Sequence, residues 1–378
     1  MDSLTVDSPD REQEVDAVLR LGCLPGVGTR TLWRILETYG SGAEALRVSV
    51  ADLNSCVGSD VGTALFSSEL DLRVRRALDR CRVMEIEVLL WRDAAYPVQL
   101  RDLADPPPIL FARGRIELLR TRSQLVTIVG SRHCTGYGRR TAETLADRLA
   151  GRGITVVSGL ALGIDGAAHR GALAANGDTI AVLGSGVDLI QPASHRRLGE
   201  RIVREGLLMS EFLPEEPARA HHFPRRNRIL AALSGATVVV EAAHKSGALI
   251  TVEHALDVGR DVYVVPGLLD APQSRGCNAL IQQGAHSITS PDDFVRDLGL
   301  VCGSSKEFRD DRRDDRRPAG LDAGAGRVWH VLDERPAAID DLACRAALDT
   351  SGALAALTSL ELEGWVIQEP GMRFRRAS

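Results

Sequence analysis

The chain has 378 residues, 44% hydrophobic and 26% charged, a globular balance that excludes a disordered chain and points to two or three domains. Its formal net charge of −5 excludes attraction of nucleic acid by bulk charge, so any polyanion must meet a local basic patch. Seven cysteines, an odd number without a CxxC pair, argue against a zinc site or disulfide framework and for a reducing, cytoplasmic setting. No apolar run reaches the roughly 18 residues of a membrane helix, and the acidic start MDSLTVDSPDREQEVD lacks the apolar core of a secretory signal. Aromatics make up only 4% of a chain with 36 glycines, which favours sites built from backbone over aromatic cages.

In chain order, 14–24 and 29–39 read as helices flanking Leu24-Pro-Gly-Val-Gly28, with Leu32, Ile35 and Leu36 at helical spacing. That punctuation resembles a helix-hairpin-helix, whose glycine amides can face a phosphate, and reads equally as a tight connector. A further helix is expected to end near Arg80, followed by short strands at 88–91 and 109–111. From there, apolar runs at 126–129, 154–157, 180–183, 207–209, 238–240 and 262–265 alternate with helical patterns at 139–150, 166–175, 196–205, 227–233 and 249–258. Runs rich in Val, Ile and Leu separated by helices predict a doubly wound parallel sheet of α/β class. The run KEFRDDRRDDRR at 306–317 reads as a solvated linker, and 327–332, 339–347 and 351–362 as three helices before a hairpin, a winged-helix pattern. The expected division is a helical, helix-hairpin-helix-like domain at 12–80, which family resemblance likens to a SAM domain, the Rossmann domain at 81–300, a linker at 301–322 and a winged helix at 323–376.

Ligands of open parallel sheets sit beyond the carboxyl ends of the strands. Here each strand is followed by small or polar residues: Gly130-Ser131-Arg132, Ser158-Gly159 then Gly163-Ile164-Asp165, Gly184-Ser185-Gly186, Ser210-Glu211, Glu241 then Lys245-Ser246-Gly247, and Pro266-Gly267. Such a rim implies backbone amides and helix N-termini facing an anion. The first turn, GSRHCTGYG, departs from G-x-G-x-x-G, and the second strand ends in Val157-Ser158 without a ribose-binding acid, so no dinucleotide is expected. GxxxxGK[ST] is absent too, and neither cofactor nor metal is expected.

Two acid-free windows stand out on this acidic chain. Between Glu117 and Glu143 lie Arg120, Arg122, Arg132, Arg139 and Arg140; between Glu216 and Glu241 lie Arg219, Arg225, Arg226 and Arg228, with His221 and His222. They predict a focused patch for phosphates, which guanidinium forks suit. Arg132 is expected in the groove, Arg225 and Arg228 on one helix face, and Phe223 or Tyr137 as rings for base stacking. Asp165 and His169, four apart, read as a helix cap and a locally bonded histidine before they read as an acid–base pair. No Ser-His-Asp arrangement is legible, nothing fixes Glu241 near Glu253, and no catalytic residue is expected.

The stretches Ile128-Val-Gly-Ser-Arg132, Tyr137-Gly138, Ser158-Gly-Leu-Ala-Leu-Gly-Ile-Asp165, Ala168-His169, Thr179-Ile-Ala-Val-Leu-Gly184, Ser210-Glu211, Phe223-Pro-Arg-Arg-Asn-Arg228, Ser246-Gly-Ala-Leu-Ile-Thr251, Val265-Pro-Gly267, Asn278 and Gly284-Ala285 together resemble the DNA-processing protein A (DprA/Smf) family. The resemblance implies a non-enzymatic protein that binds single-stranded DNA in natural transformation, delivers it to the RecA recombinase and works as a homodimer of extended Rossmann folds. It implies DNA contacts at Gly130, Ser131, Arg132, Ser158, Gly159, Arg225, Arg226, Asn227, Arg228, Lys245, Ser246 and Gly247, beside the ring of Phe223. Where the family commonly has Tyr-Pro then Asn after the third strand, this chain has Gln191-Pro192-Ala193-Ser194-His195. The helix at 351–362 has no Lys or Arg, a poor groove reader, so this domain is expected to contact protein or to be structural, with Arg373, Arg375 and Arg376 as its basic cluster. An alternative is a LOG-like nucleotide phosphoribohydrolase, whose glycine-rich turn, Thr and Glu are echoed by Ser246-Gly247, Thr251 and Glu253.

Overall fold

A computed structural model describes residues 9–58, 60–119, 124–301, 323–332, 337–362, 365–369 and 372–376. Arg120, Arg122 and the expected linker, apart from its first residue, lie outside these. The chain divides into two compact units, Met1–Ser304 and Ser305–Ser378.

The first unit opens with six helices: α1 (Pro9–Gly22), α2 (Thr29–Tyr39), α3 (Gly42–Ala45), α4 (Val50–Val57), α5 (Gly62–Leu65) and α6 (Ser68–Val83). The short α3 and α4 escaped the periodicity reading, because a helix of one or two turns shows little period. Their capping signals are nonetheless present: Ser41 and Ser49 accept from the N–H groups of Glu44 and Asp52, three residues on. Val18, Leu21, Ile35 and Leu53 from these helices share one buried cluster with Leu90, Phe111, Ala181 and Leu208 of the sheet. Polar ties reinforce the contact: the Arg11 guanidinium donates to Val88 O and Asp93, and Arg80 pairs at 2.8 Å with the fully buried Asp188 carboxylate. The helical tract and the α/β layer are therefore one unit with a common core.

The sheet strands are β1 (Glu87–Leu90), β2 (Ile109–Gly114), β3 (Leu125–Val129), β4 (Thr155–Ser158), β5 (Thr179–Val182), β6 (Leu207–Ser210), β7 (Ala236–Val239), β8 (Asp261–Val264) and β9 (His286–Ser287). Their order is β1-β2-β6-β5-β4-β3-β7-β8-β9. From β6 to β9 all neighbours are parallel, as expected, with crossovers through α7 (Gly136–Ala150), α8 (Ile164–Ala174), α9 (Arg196–Glu205), α10 (His222–Leu233), α11 (Ala248–Asp257) and α12 (Arg275–Gln282). β1 and β2 are antiparallel additions at one edge, a departure from a wholly parallel sheet. They are joined by a loop with 3-10 turns and no crossover helix, so they form a hairpin-like pair. Residues Val126 and Ile128 face α7 and α8, while Leu125 and Val129 share a cluster with α10 and α11. Helix α13 (Pro291–Val301) closes the α7 side.

The second unit holds α14 (Ala323–Val331), β10 (Ala337–Ala338), α15 (Ile339–Arg345), α16 (Thr350–Leu362), β11 (Val366–Glu369) and β12 (Arg373–Arg376). Three helices and a three-stranded sheet ordered β10-β12-β11 make a winged helix around Val328, Leu342, Leu357 and Phe374. The six described cysteines are free thiols, and no helix among the described residues is long and apolar enough to cross a membrane.

Helices α7 and α8 pack closely: a Cβ on Gly171 would lie 2.2 Å from the carbonyl oxygen of Glu143. Gly171→Ala should therefore lower stability by about 1–3 kcal/mol through overpacking. Gly235→Ala, with nothing within 4 Å of the added carbon, should not; urea denaturation of the two variants checks the contrast.

Candidate nucleic-acid interface

β3 and β7 leave the sheet side by side in opposite crossover directions, so the gap between their carboxyl ends is the topological switch point. The N-terminus of α7 opens there, but its positive end is already met by an anion. The buried Glu241 carboxylate, on the segment leaving β7, accepts the N–H of Thr135 at 2.9 Å and the Thr135 hydroxyl. The Glu241 carbonyl takes the Ser131 N–H at 2.7 Å. Gly130 and Ser131 thus hold the two strand exits together, and the Ser131 hydroxyl accepts from the N–H of His133 at 3.1 Å.

Beside this gap, Arg132 is exposed and its guanidinium lies 4.5 Å from the centroid of the half-buried Phe223 ring. The pair edges a pocket of about 170 Å3 whose lining includes Gly159, Leu162, Gly184 and Pro192, at the exits of β4 and β5. No carboxylate lies within ion-pair distance of Arg132 among the described residues. Gly163 shapes the loop: its φ is +80°, and a Cβ would stand 2.2 Å from the Ser131 carbonyl oxygen, so only glycine lets β4's exit pass under β3's.

The remaining expected contacts divide sharply by burial. The Ser158 hydroxyl is wholly buried and donates to Ile128 O at 2.6 Å. Arg226 is buried as well; it donates to Gly159 O at 2.9 Å, to Val182 O, and through Nε to Asn227. Burial lowers its pKa to about 10, with the charge of Asp165 opposing that fall. A Cβ on Gly159 would sit 2.5 Å from the guanidinium, so Gly159 serves the approach of Arg226. Asn227 donates to Gly247 O at 3.3 Å, tying α10 to the turn before α11.

Arg225 and Arg228 do share a face, and both meet Glu211. Arg228 is buried, 2.6 Å from the Glu211 carboxylate and donating to Asp105 O at 2.7 Å. Arg225 is half-exposed, 2.9 Å from the same carboxylate, and donates to the Thr29 hydroxyl at the start of α2. The side chains of Ser158, Arg226 and Arg228 are therefore turned into the protein, against the expectation that they face a strand. Their acidic neighbours Asp165 and Glu211 are distant in sequence, beyond the reach of helical spacing. Lys245 and Gly247 are exposed and Ser246 half-buried, with its hydroxyl accepting the Ala248 N–H at 3.3 Å. Tyr137, Arg139 and Arg140 are exposed on the first turns of α7.

The acid–base candidates do not assemble. Asp165 is buried and faces Arg226; desolvation raises its pKa, against the pull of that cation. His169 is fully buried, its Nδ1 at 2.7 Å from the Thr179 hydroxyl. Glu253 is exposed on α11 while Glu241 is buried against Thr135, and Thr251 is buried, so the echo of a phosphoribohydrolase turn is not arranged as a site. The acids that organise the rim, Glu211 and Glu241, follow the strands by one or two residues, the position from which a side chain reaches a neighbouring helix start.

A family model described as DNA recombination-mediator protein A matches residues 87–299, and one described as DprA winged helix domain matches 312–372. The chain is 40% identical to protein Smf of Escherichia coli K12 over 291 residues, 75% of this chain and 76% of that one. It is 36% identical to the DNA processing protein DprA of Streptococcus pneumoniae over 275 residues, 72% of this chain and 94% of that one. The structure of DprA from S. pneumoniae is similar with a TM-score of 0.65 and 32% identity, covering 78% of this chain and 98% of that one. DprA from Helicobacter pylori, whose structure concerns a single-stranded DNA binding mode, is similar with a TM-score of 0.53 and 31% identity, covering 58% and 97%.

Two outcomes follow from the buried charges. Glu211→Ala leaves the buried Arg228 with only the more distant Asp105 carboxylate, at 3.8 Å, and should cost about 3 kcal/mol, whereas Arg225→Ala, at the half-exposed pair, should cost less than about 1 kcal/mol; chemical denaturation separates them. Burial also pushes the His169 ring down to about 3 from its ordinary 6.5. The unfolded chain takes up a proton near pH 6.5 that the folded chain refuses until about pH 3, so stability is lost as pH falls through that window, by up to about 1.4 kcal/mol per unit. His169→Gln should flatten that loss in a series of melts.

Proposed function

Because the chain belongs to the DprA/Smf family of DNA recombination mediators, we propose that it binds single-stranded DNA along the carboxyl rim of its sheet and passes that strand to a RecA-type recombinase. The observation that carries this reading is Arg132: an exposed guanidinium stacked on Phe223 at the mouth of the pocket beyond β4 and β5. A cation and a ring side by side offer one phosphate contact and one stacking surface, the two elements of sequence-tolerant strand binding. Lys245 supplies charge, and Gly130, Ser131, Ser246 and Gly247 exposed or half-exposed loop surface, along the same rim. Arg226, Arg228 and Asn227 act differently: they fix α10 and so hold Phe223 in place under Arg132.

On this reading the protein is a binding protein of the cytoplasm and performs no covalent chemistry. A homodimer would present two such grooves, so that a strand held by one meets the second at raised effective concentration. The winged helix serves protein contact or structure, since α16 carries no basic residue in its described turns.

Anisotropy titrations with labelled oligonucleotides test the proposal. Arg132→Ala should weaken binding of every sequence alike, by about 1.5–3 kcal/mol for a charge-assisted contact, and reduce the slope of log affinity against log salt by about 0.7 for one lost phosphate contact. Unchanged affinity, or a loss confined to one sequence, would count against it.

A further inference from the structure

In open parallel sheets the first strand–helix turn at the switch point is where a nucleotide's phosphate rests, against helix N–H groups and the positive end of the helix dipole. In this chain the corresponding place is filled from inside. Glu241 comes from the far side of the switch point and sets both carboxylate oxygens on Thr135, one on its N–H at 2.9 Å and one on its hydroxyl. The Thr135 hydroxyl in turn caps α7 by accepting the Gly138 N–H at 3.0 Å. The first turn of α7 has no acidic residue of its own, so the charge that complements this helix end is supplied by β7's exit.

Gly138 provides independent support. A Cβ there would lie 2.4 Å from the Glu241 carboxyl carbon and 2.6–2.7 Å from its oxygens. Glycine inside a helix costs about 0.5–1 kcal/mol relative to alanine, and here its bareness makes the room the carboxylate occupies. Glu241 is only 4% exposed, so a second anion at the same place would be desolvated beside a buried like charge.

We propose that Glu241 is the residue that sets ligand class at this rim: its carboxylate takes the phosphate seat of the fold and excludes inorganic phosphate and free nucleotides. Phosphate then binds only as part of a strand lying outside the seat, on Arg132. The second half of this statement rests on the DNA-binding reading; the exclusion by Glu241 does not.

The test uses the full chain, with inorganic phosphate and deoxyadenosine monophosphate as probes, in chloride buffer at constant ionic strength. The wild-type melting temperature should not respond to either probe. Glu241→Ser, which leaves the Thr135 cap of α7 in place and empties the seat, should melt higher as either probe is added, with an apparent affinity at least about tenfold above wild type. Should the variant be unfolded in chloride, phosphate at equal ionic strength should restore its fold. Equal responses of wild type and variant, or no restoration, would overturn the proposal. Single-strand binding by Arg132→Ala reports separately on the DNA reading, so failure of one leaves the other legible.

Discussion

Arg226 carries its guanidinium into the carboxyl edge of the sheet, where it bonds the carbonyls of Gly159 and Val182 and lies within the field of the buried Asp165. A cation in that position is tolerable only because main-chain carbonyls and an acid replace the water it loses. Much of the rim depends on it. It draws the exits of β4 and β5 toward the start of α10, requires glycine at 159, and fixes the helix turn from which Phe223 reaches Arg132. The exposed pair is thus held by a buried one, the arrangement that keeps a binding surface ordered before its ligand arrives.

Three carboxylates share this logic. Asp165 faces Arg226, Glu211 takes both Arg225 and Arg228, and Glu241 meets the start of α7. Each neutralises charge that the strand exits and helix starts would otherwise turn outward. What remains exposed includes Arg132, Lys245, Arg219, the first turn of α7 and part of Arg225. A net-acidic protein can in this way keep a narrow basic track without a broadly positive face. Glu211 also joins the layers: through Arg225 it is one bond from Thr29 of the helical tract, so the rim and the N-terminal hairpin meet at a shared ion cluster.

Much of this was legible along the chain. Apolar runs buried on both faces announced six parallel strands, and the turns after them announced where a ligand would lie. The short helices α3 and α4 could be found only from their serine caps. The antiparallel edge made by β1 and β2 depends on which strand accepts them, and local pattern does not specify that. Arg225 and Arg228 were placed correctly on one face by helical spacing, yet that face turned out to look at Glu211.

By itself, then, the amino-acid order determined the alternation of strands and helices, the glycine-lined exits, the family motifs and the winged-helix pattern, because periodicity, caps and turns are set by neighbours a few residues apart. Only the tertiary structure decided which cations are free. Arg228 and Glu211 are 17 residues apart and Thr135 and Glu241 are 106 apart. Strand order alone brings such groups within hydrogen-bond reach, and burial then makes each pairing obligatory, since an unpaired charge in the interior costs more than any single surface contact returns.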